Sequence, residues 1–449
     1  MQAIASNEIM ASTKAARVFD RIFVTASAFQ KPPPESILRY RGELAKHKFI
    51  RRSIINGNAG ACKVRRRDRI VKNFRKAREH RGLAVQAVDL ITHKLKLNTH
   101  WEDYYRYGFY RQDVTWPEKA LYVSDKGSFF WPWEGNSLKF DRLFVRKSLQ
   151  KSVVTAEGLP TPCMLLKAGS NYSIDTAQKL ASELARVNVP FITKFDGGGS
   201  GVMNLAFEPV DGAIRYGDEI VDAHWIWDQY QSVTDTGFLV EERVWNHERL
   251  ARICPSSLNT LRLNLARTAD GRWHQLRPMI KFGRKGSHVD NTSAGGLFAG
   301  VDEHGRIGIA YNDSLETFEC HPDTQATICG EVVPFYQEAL ELAAQASRVF
   351  GFMATIGWDV GITPTGPTII EGNPAWYSRR YQDALGPFLT PEAAAGLLSR
   401  KWWAPWDKTH MYPGYMKDAN GGWWQRYLAR RRKRLLALAS ENLQESSRD

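Results

Sequence analysis

Runs of alternating apolar and polar residues predict a series of strands in the middle and later parts of the chain. The clearest runs, rich in β-branched and aromatic residues, cover residues 190–195, 237–244, 259–267 and 273–282. Residues 173–188 and 333–350 instead carry apolar side chains at helical spacing; in the second stretch Tyr336, Leu340, Ala343 and Phe350 share one side. Helices interspersed with strands in this way indicate a mixed α/β (α+β) fold.

Residues 357–374 form two further apolar runs joined by the turn sequence Pro-Thr-Gly-Pro. The pattern predicts a β-hairpin that carries Asp359 on its first strand and Glu371 and Asn373 on its second. The spacing of two places Glu371 and Asn373 on the same sheet face. Two carboxylates and an amide oxygen are typical ligands of Mg²⁺. A strand pair with charged outer positions explains the pattern equally well.

The strand at 190–195 ends in a lysine and leads into a glycine-rich segment. Lys194 is followed, after Phe195 and Asp196, by the run Gly197, Gly198, Gly199, Ser200 and Gly201. Glycine allows backbone N–H groups to approach phosphates closely, although the Gly-Lys-Ser/Thr of a P-loop is missing. A flexible hairpin tip is the alternative interpretation.

Positive charge is concentrated at the two ends of the chain. The 449 residues carry a net charge of +13, of which residues 1–111 hold +15, residues 112–422 hold −6 and residues 423–449 hold +4. We predict helices at 15–29, 36–50 and 66–79, and a basic amphipathic helix near 423–436. Such ends suit an anionic membrane surface, or nucleic acid in principle, but no nucleic-acid-binding motif accompanies them. The alternatives are a solvated helical face, a docking site for an acidic substrate, and a tail packed on the body.

Cysteine usage and hydropathy indicate a reducing compartment. The five cysteines form no Cys-x-x-Cys pair, which argues against a disulfide framework or a zinc site. Neither an apolar run of membrane-spanning length nor a signal-peptide pattern is visible. We therefore expect a cytoplasmic protein, and the basic ends suit peripheral attachment to the inner face of the membrane.

The order of these motifs resembles that of the ATP-grasp superfamily. Lys147 stands upstream of Gly158-Leu159-Pro160-Thr161-Pro162, which resembles the first nucleotide-binding lysine of D-alanine–D-alanine ligase relatives. The segments 255–262, 289–296 and 356–359 are most similar to the sugar-transfer-associated ATP-grasp group. The resemblance spans about residues 112–400. It implies an ATP-grasp catalytic body over 112–400, with subdomains at about 140–240 and 241–400, between a basic helical region (1–111) and an aromatic, basic tail (401–449).

The resemblance also implies a role for each motif residue. Lys147 and Lys194 are implied to bind phosphates, and the loop Gly197–Gly201 to cover them. The strand bearing Glu241, Glu242 and Val244 is implied to face adenine, and Glu248 the ribose, with a surface acid as the alternative for Glu248. One or two Mg²⁺ ions are implied at Asp359, Glu371 and Asn373. The implied catalytic residues are Lys194, Arg262 (or a structural ion pair), and Asp290 as a base on the incoming amine, with Arg277, Lys281 and Arg284 as further candidates beside Arg262.

These features favour an ATP-dependent carboxylate–amine ligase that acts through an acyl phosphate on small-molecule substrates. The family resemblance suggests a place in surface-polysaccharide or peptide natural-product biosynthesis. A phosphotransferase acting on a hydroxyl, and an ATP-binding scaffold docked at membranes, are the competing hypotheses.

Overall fold

The computed structural model describes two compact parts of the chain. Described are residues 77, 81–97, 101–122, 146–197, 204–231, 237–267, 271–292, 295–351, 353, 355–374, 376 and 379–389. Residues up to Asp113 belong to one unit, and the described residues from Val114 onward to the other. The predicted helices at 15–29, 36–50 and 423–436 lie outside the described residues, as does that at 66–79 except for Ala77, which is helical.

The first unit contains a small aromatic core on two helices, α1 (Leu83–Leu97) and α2 (Trp101–Arg106). The ring of His93 meets the ring of Tyr104 edge-on, with centroids 5.1 Å apart, and stacks on Phe109 at 5.6 Å. Tyr104 donates a hydrogen bond to Asp89, so its buried hydroxyl is paired. Aromatic packing therefore joins α2 to α1 within this unit.

The second unit carries the remaining helices. They are α3 (Trp116–Ala120), α4 (Lys147–Ala156), α5 (Ala177–Leu184), α6 (Ala223–Gln229), α7 (Glu248–Ile253), α8 (Tyr336–Val349) and α9 (Arg379–Leu385). None of the helices among the described residues is long and apolar enough to span a bilayer.

The first sheet of this unit is antiparallel and six-stranded. Its strands are β1 (Met164–Ala168), β2 (Phe191–Phe195), β3 (Leu205–Val210), β4 (Ala213–Tyr216), β5 (Glu219–Val221) and β6 (Phe238–Glu242), in the order β1-β6-β2-β3-β4-β5. Leu180 of α5 and Ile226 of α6 pack with Phe191 and Phe238 in one apolar cluster. Thr176 and Asp222 cap α5 and α6 through their side-chain oxygens, which satisfies a free backbone N–H at each helix start.

The second sheet has eight antiparallel strands and two chemically different faces. Its strands are β7 (Thr260–Arg267), β8 (Trp273–Gln275), β9 (Met279–Phe282), β10 (Leu297–Val301), β11 (Ile307–Tyr311), β12 (Thr317–Phe318), β13 (Thr355–Thr363) and β14 (Gly366–Asn373). They follow the order β12-β11-β10-β9-β7-β13-β14, with β8 paired to β7. Alternate residues such as Leu263, Ile280 and Trp358 share one apolar core with Leu342 and Ala346 of α8. Because side chains alternate along a strand, the polar residues between them point to the opposite face.

Most predicted elements of the body are confirmed with shorter bounds, but the predicted strand at 273–282 is wrong as a single element. It breaks into β8 and β9 around Leu276, Arg277 and Pro278. Proline has no N–H to donate to a ladder, and Leu276 donates its N–H back to the carbonyl of Asn264. The predicted hairpin is confirmed, and Thr363 pairs with Gly366 across a two-residue turn.

Candidate active site

The polar face of the second sheet carries a row of ionised side chains. Arg262 on β7, Asp359 on β13 and Glu371 on β14 are direct cross-strand partners, so their side chains lie on one face. Both nitrogens of the Arg262 fork, Nε and Nη2, donate to the two Asp359 oxygens at 2.8 Å. Lys281 on β9 approaches the same carboxylate, with Nζ 3.0 Å from Oδ1. One buried carboxylate is thus held by two cations.

Burial and charge together set the protonation of this row. Burial alone pushes the pKa of Asp359 up, but the charges of Arg262 and Lys281 outweigh burial and lower it to about 2. Burial opposes the charges of both cations, yet the carboxylates around them raise the pKa of Arg262 and of Lys281. Glu371 also has a lowered pKa: burial and Asp359 oppose its ionisation, and Lys147 foremost among the cations outweighs them. All these groups are therefore charged at neutral pH.

Helix α4 approaches the end of β14 and brings a lysine to Glu371. The distance from Lys147 Nζ to Glu371 Oε2 is 3.2 Å. Gln150, on the same helix, donates to the carbonyl of Gly372 at 2.8 Å and accepts from its N–H at 2.6 Å. Since Gly372 lies between Glu371 and Asn373, this paired contact fixes the two side chains relative to the helix.

The start of α4 is also tied to the strand that carries Lys194. Asp196, two residues after Lys194, accepts hydrogen bonds from the backbone N–H and the hydroxyl of Ser148 at 2.7 and 2.8 Å. Its backbone carbonyl accepts from the N–H of Lys147 at 3.0 Å. A carboxylate at a helix N-terminus satisfies free N–H groups and complements the helix dipole. Lys147 is therefore positioned by the base of the glycine-rich loop.

A second charged cluster lies between α4 and the first sheet. Lys194 Nζ and Lys151 Nζ lie 2.9 and 3.0 Å from the same oxygen, Glu241 Oε2. The other oxygen of Glu241, Oε1, is buried and has no hydrogen-bond partner among the described residues. A buried acceptor left without a donor costs about 1–3 kcal/mol. The atom is thus suited to accept a hydrogen bond from a bound molecule.

The donor set at the end of the hairpin fits a hard divalent cation. Among the described residues, no three His, Cys, Asp or Glu side chains meet as a metal site. The candidate ligands are instead two carboxylates and the Asn373 amide, whose Nδ2 lies 3.4 Å from Asp359 Oδ2. Glu371 Oε1 accepts no hydrogen bond within the part of the chain that the structure describes. Each Asp359 oxygen already takes two donors, so Asp359 could ligate an ion only by giving up one of them.

The remaining predicted site residues are distributed less tightly. Glu242 and Glu248 are exposed, Val244 is half-buried, and Glu248 begins α7. Asp290 is buried, accepts the backbone N–H of Thr260 at 2.9 Å, and lies 3.4 Å from Lys281 Nζ. In the glycine-rich run, Gly197 is described, whereas Gly198, Gly199, Ser200 and Gly201 fall outside the described residues. Of the further candidates, Arg277 contacts the Leu385 carbonyl and Arg284 pairs with Asp323.

Sequence reasoning missed Gln150, Lys151 and Asp196, and gave Lys281 little weight. Only Lys151 had a signal, because it follows Lys147 by four residues and therefore shares its helix face. The contacts of Gln150 and Asp196 join segments distant in the chain, and nothing in the local pattern indicates them.

Comparison with known proteins identifies the family. The family model described as sugar-transfer associated ATP-grasp matches residues 135–395, more than half of the chain. A search of curated protein sequences found no match.

A search of solved structures found matches that include three enzymes. They are an L-amino acid ligase from Bacillus licheniformis (11% identity, 53% of this chain, 42% of that chain, TM-score 0.33), a D-alanine–D-alanine ligase from Bacillus anthracis (13%, 67%, 70%, 0.31) and an N5-carboxyaminoimidazole synthase from Aspergillus clavatus (14%, 57%, 52%, 0.33). The chain spans less than half of the first protein and about half of the third. Because the family model matches more than half of the chain, this chain, whose body is mixed α/β with two antiparallel sheets, belongs to the sugar-transfer associated ATP-grasp family.

Proposed function

We propose that the protein is an ATP-dependent ligase that joins a carboxylate to an amine through an acyl phosphate. The observation that carries this proposal is the meeting of Lys147 with Glu371, 3.2 Å apart, beside the Arg262–Asp359–Lys281 group. Lysines suited to phosphate and oxygen ligands suited to Mg²⁺ thereby converge on one sheet face. Membership of the ATP-grasp family supports the same nucleotide.

The nucleotide would lie between the two charged clusters. Lys147 and Lys194 would neutralise phosphate oxygens, and the backbone N–H groups of residues 197–201 would cover them. Glu241 Oε1, buried without a donor, would accept a hydrogen bond from the amino group of adenine. The backbone at Glu242 and Val244 would meet the rest of the base edge, and Glu248 the ribose hydroxyls.

Asp359, Glu371 and Asn373 would hold one or two Mg²⁺ ions. Such an ion, when bound, neutralises phosphate oxygens and aligns the γ-phosphate with its acceptor. The protein's own contribution is to fix the positions of the metal ligands. Gln150 binds the backbone of Gly372, which lies between the two β14 ligands, Glu371 and Asn373.

The proposed reaction has two steps. An oxygen of the substrate carboxylate attacks the γ-phosphorus, the bond to the bridging oxygen breaks, and ADP leaves. The amine then attacks the acyl carbon, inorganic phosphate leaves, and the amine loses a proton; Asp290 is the candidate to accept it. Lys281, which is buried, and Arg262, which is half-buried, would stabilise the negative charge that develops on the acyl oxygens. Family membership favours a substrate from surface-sugar or peptide natural-product biosynthesis.

Product analysis tests the proposal directly. The protein is incubated with ATP, Mg²⁺ and pools of carboxylic acids, amines and alcohols, and products are identified by mass, with Glu371→Gln as the matched inactive control. A ligase gives ADP, free phosphate and a condensed product, and hydroxylamine traps the acyl phosphate as a hydroxamate. A phosphorylated alcohol without free phosphate would establish a kinase instead. Bound ATP that is never consumed in any pool would favour a scaffold.

A further inference from the structure

The cluster of Lys151, Glu241 and Lys194 poses an electrostatic problem for nucleotide binding. Lys194 is proposed to bind phosphate, yet its Nζ lies 2.9 Å from Glu241 Oε2. The Glu241 side chain is only 2% exposed. A carboxylate this deeply buried strongly destabilises the fold when its counter-ion departs. Lys194 can therefore turn toward a phosphate only if another cation stays with Glu241.

Lys151 is placed to be that second cation. Its Nζ lies 3.0 Å from the same Glu241 oxygen, and its side chain is 4% exposed, whereas that of Lys194 is 11% exposed. Lys151 also donates to the carbonyl of Pro162 at 3.3 Å, which fixes it on the inner side of the cluster. Lys194 is the more exposed of the two lysines, so we take it as the one that turns toward the phosphates.

We propose that Lys151 is a positioning residue that keeps Glu241 neutralised and in place when Lys194 moves from Glu241 to the nucleotide phosphates. The inference rests on the proposed function, because it takes the bound molecule to be a nucleotide. Lys151 itself touches no phosphate. It acts by lowering the electrostatic cost of releasing Lys194.

The charges that face Lys151 come from three strands. Glu241 on β6 and Glu371 on β14 favour its ammonium form, and Lys194 on β2 opposes it. Burial, the largest influence, lowers the pKa of Lys151 to about 8. Burial also opposes the charge of Lys194, but the carboxylates around it, Glu241 foremost, outweigh burial and raise its pKa. Lys151 is therefore the member of the pair that loses its proton first.

Nucleotide binding should consequently take up a proton at Lys151. When Lys194 moves away, its repulsion of Lys151 weakens and Glu241 is left to Lys151 alone, so the pKa of Lys151 rises. Because the pKa of Lys151 is lowered, a part of the Lys151 side chains is neutral before binding, and this part grows as the pH rises from 7 to 9. Binding of ATP should then take up a fraction of a proton, and this fraction should increase between pH 7 and pH 9.

Titration calorimetry in buffers of different ionisation enthalpy measures this proton uptake. Lys151→Met should bind ATP at least about tenfold more weakly at pH 7 and take up no proton at pH 9. Lys151→Arg, whose guanidinium stays charged, should restore the affinity and still take up no proton. Lys179→Met, at an exposed lysine, is the control and should behave like the wild type.

A further variant separates the proposed role from direct phosphate binding by Lys151. In Lys194→Met, Lys151 is the one cation among the described residues that remains at Glu241 before and after binding, so ATP should bind more weakly and without proton uptake. Proton uptake that persists in Lys194→Met would show that Lys151 meets the phosphates itself, and would overturn the inference.

Two outcomes distinguish this inference from the proposed function. If the wild-type protein binds ATP and takes up the same number of protons as Lys151→Met, the role of Lys151 is wrong while the proposed function stands. If the wild-type protein binds no ATP at any pH, both fail.

Discussion

At the residue scale, the site depends on carboxylates that differ in how completely they are paired. Asp359 accepts hydrogen bonds from Arg262 and is also paired with Lys281, and its side chain is 7% exposed. Among the described residues, Glu371 forms its one ion pair with Lys147, and its side chain is 26% exposed. Removing one partner of a buried ion pair leaves the other charge uncompensated, so the two acids should respond differently to neutralisation.

Neutralising these acids should separate stability from turnover. We expect Asp359→Asn to abolish ATP consumption and to lower the free energy of unfolding by about 3 kcal/mol, because Arg262 and Lys281 lose their shared partner. Glu371→Gln should abolish turnover with a loss of under about 1 kcal/mol, as for a partly exposed pair. Urea unfolding and ADP release measure the two effects. Normal ATP consumption in Glu371→Gln, at saturating substrate, would remove Glu371 from the site.

The lysine of α4 should contribute mainly to nucleotide affinity. Lys147→Met removes one charge-assisted contact, which is worth about 1.5–3 kcal/mol, or roughly ten- to a hundredfold in the dissociation constant of ATP. Lys167→Met, at a half-buried position on β1 outside the proposed site, serves as the matched control. Equal ATP affinity of the two variants by calorimetry would contradict the assignment of Lys147.

At the element scale, the relation between α4 and β14 sets the site geometry. The helix carries Lys147, the strand carries Glu371 and Asn373, and Gln150 makes the contact between them with one donor and one acceptor. Gly372, whose backbone N–H and carbonyl both bind Gln150, is buried. A small shift of either element would therefore change the distance between the phosphate-binding lysine and the metal ligands.

Replacing Gln150 tests this coupling. Gln150→Leu keeps the approximate volume but leaves the N–H and carbonyl of Gly372 without their partner, at an expected cost of about 2 kcal/mol. We expect kcat to fall at least tenfold although Gln150 contacts no substrate, because misplaced ligands weaken transition-state binding. Gln178→Leu, on the exposed side of α5, should change neither stability nor kcat. Unchanged kcat in Gln150→Leu would show that the contact is structural only.

At the scale of the whole molecule, the buried carboxylates link stability to pH. The pKa values of Glu241 and Asp359 are lowered from 4.5 and 3.8 to about 2 in the folded protein, where their neighbouring cations outweigh burial. Depressed pKa values contribute stability above the unfolded values. That contribution is lost as the pH falls from about 4.5 to about 2.

Denaturation as a function of pH measures this linkage. We expect the free energy of unfolding to fall steeply between pH 4.5 and pH 2, and the fall to be smaller in Glu241→Gln, which has one fewer titrating group. A wild-type stability that is flat across this interval would contradict the charged state assigned to the buried cluster.

The basic ends carry a separate prediction, because residues 423–449 lie outside the described part of the structure. If the tail binds an anionic surface, deleting it should reduce binding to anionic vesicles, most strongly at low salt, where charges are least screened. Turnover of a soluble substrate should persist, since no proposed site residue lies there. Vesicle sedimentation tests this; full-length protein that ignores such vesicles at low salt would exclude the membrane role.

The sequence by itself determined the strands, the hairpin and the family. Strand alternation is a local property, so the face that Glu371 and Asn373 share follows from spacing alone. Asp359 lies opposite Glu371 only because the pairing of β13 with β14 shifts register between Asp359 and Val360. The lysines at 147 and 194 stand out because their order along the chain, relative to the other motifs, resembles that of the ATP-grasp superfamily. Pro278 was a local signal that the strand breaks, but the apolar pattern on both sides of it favoured a single strand.

Only the tertiary structure decided which charges meet. Gln150 and Gly372 are 222 residues apart, Arg262 and Asp359 are 97 apart, and Lys194 and Glu241 are 47 apart. No periodicity relates residues at such separations, because their distance depends on sheet order and on how a helix packs across it. The partners of Asp359 and the placement of Lys151 beside Glu241 therefore come from the fold, and they determine how the site manages its buried charge.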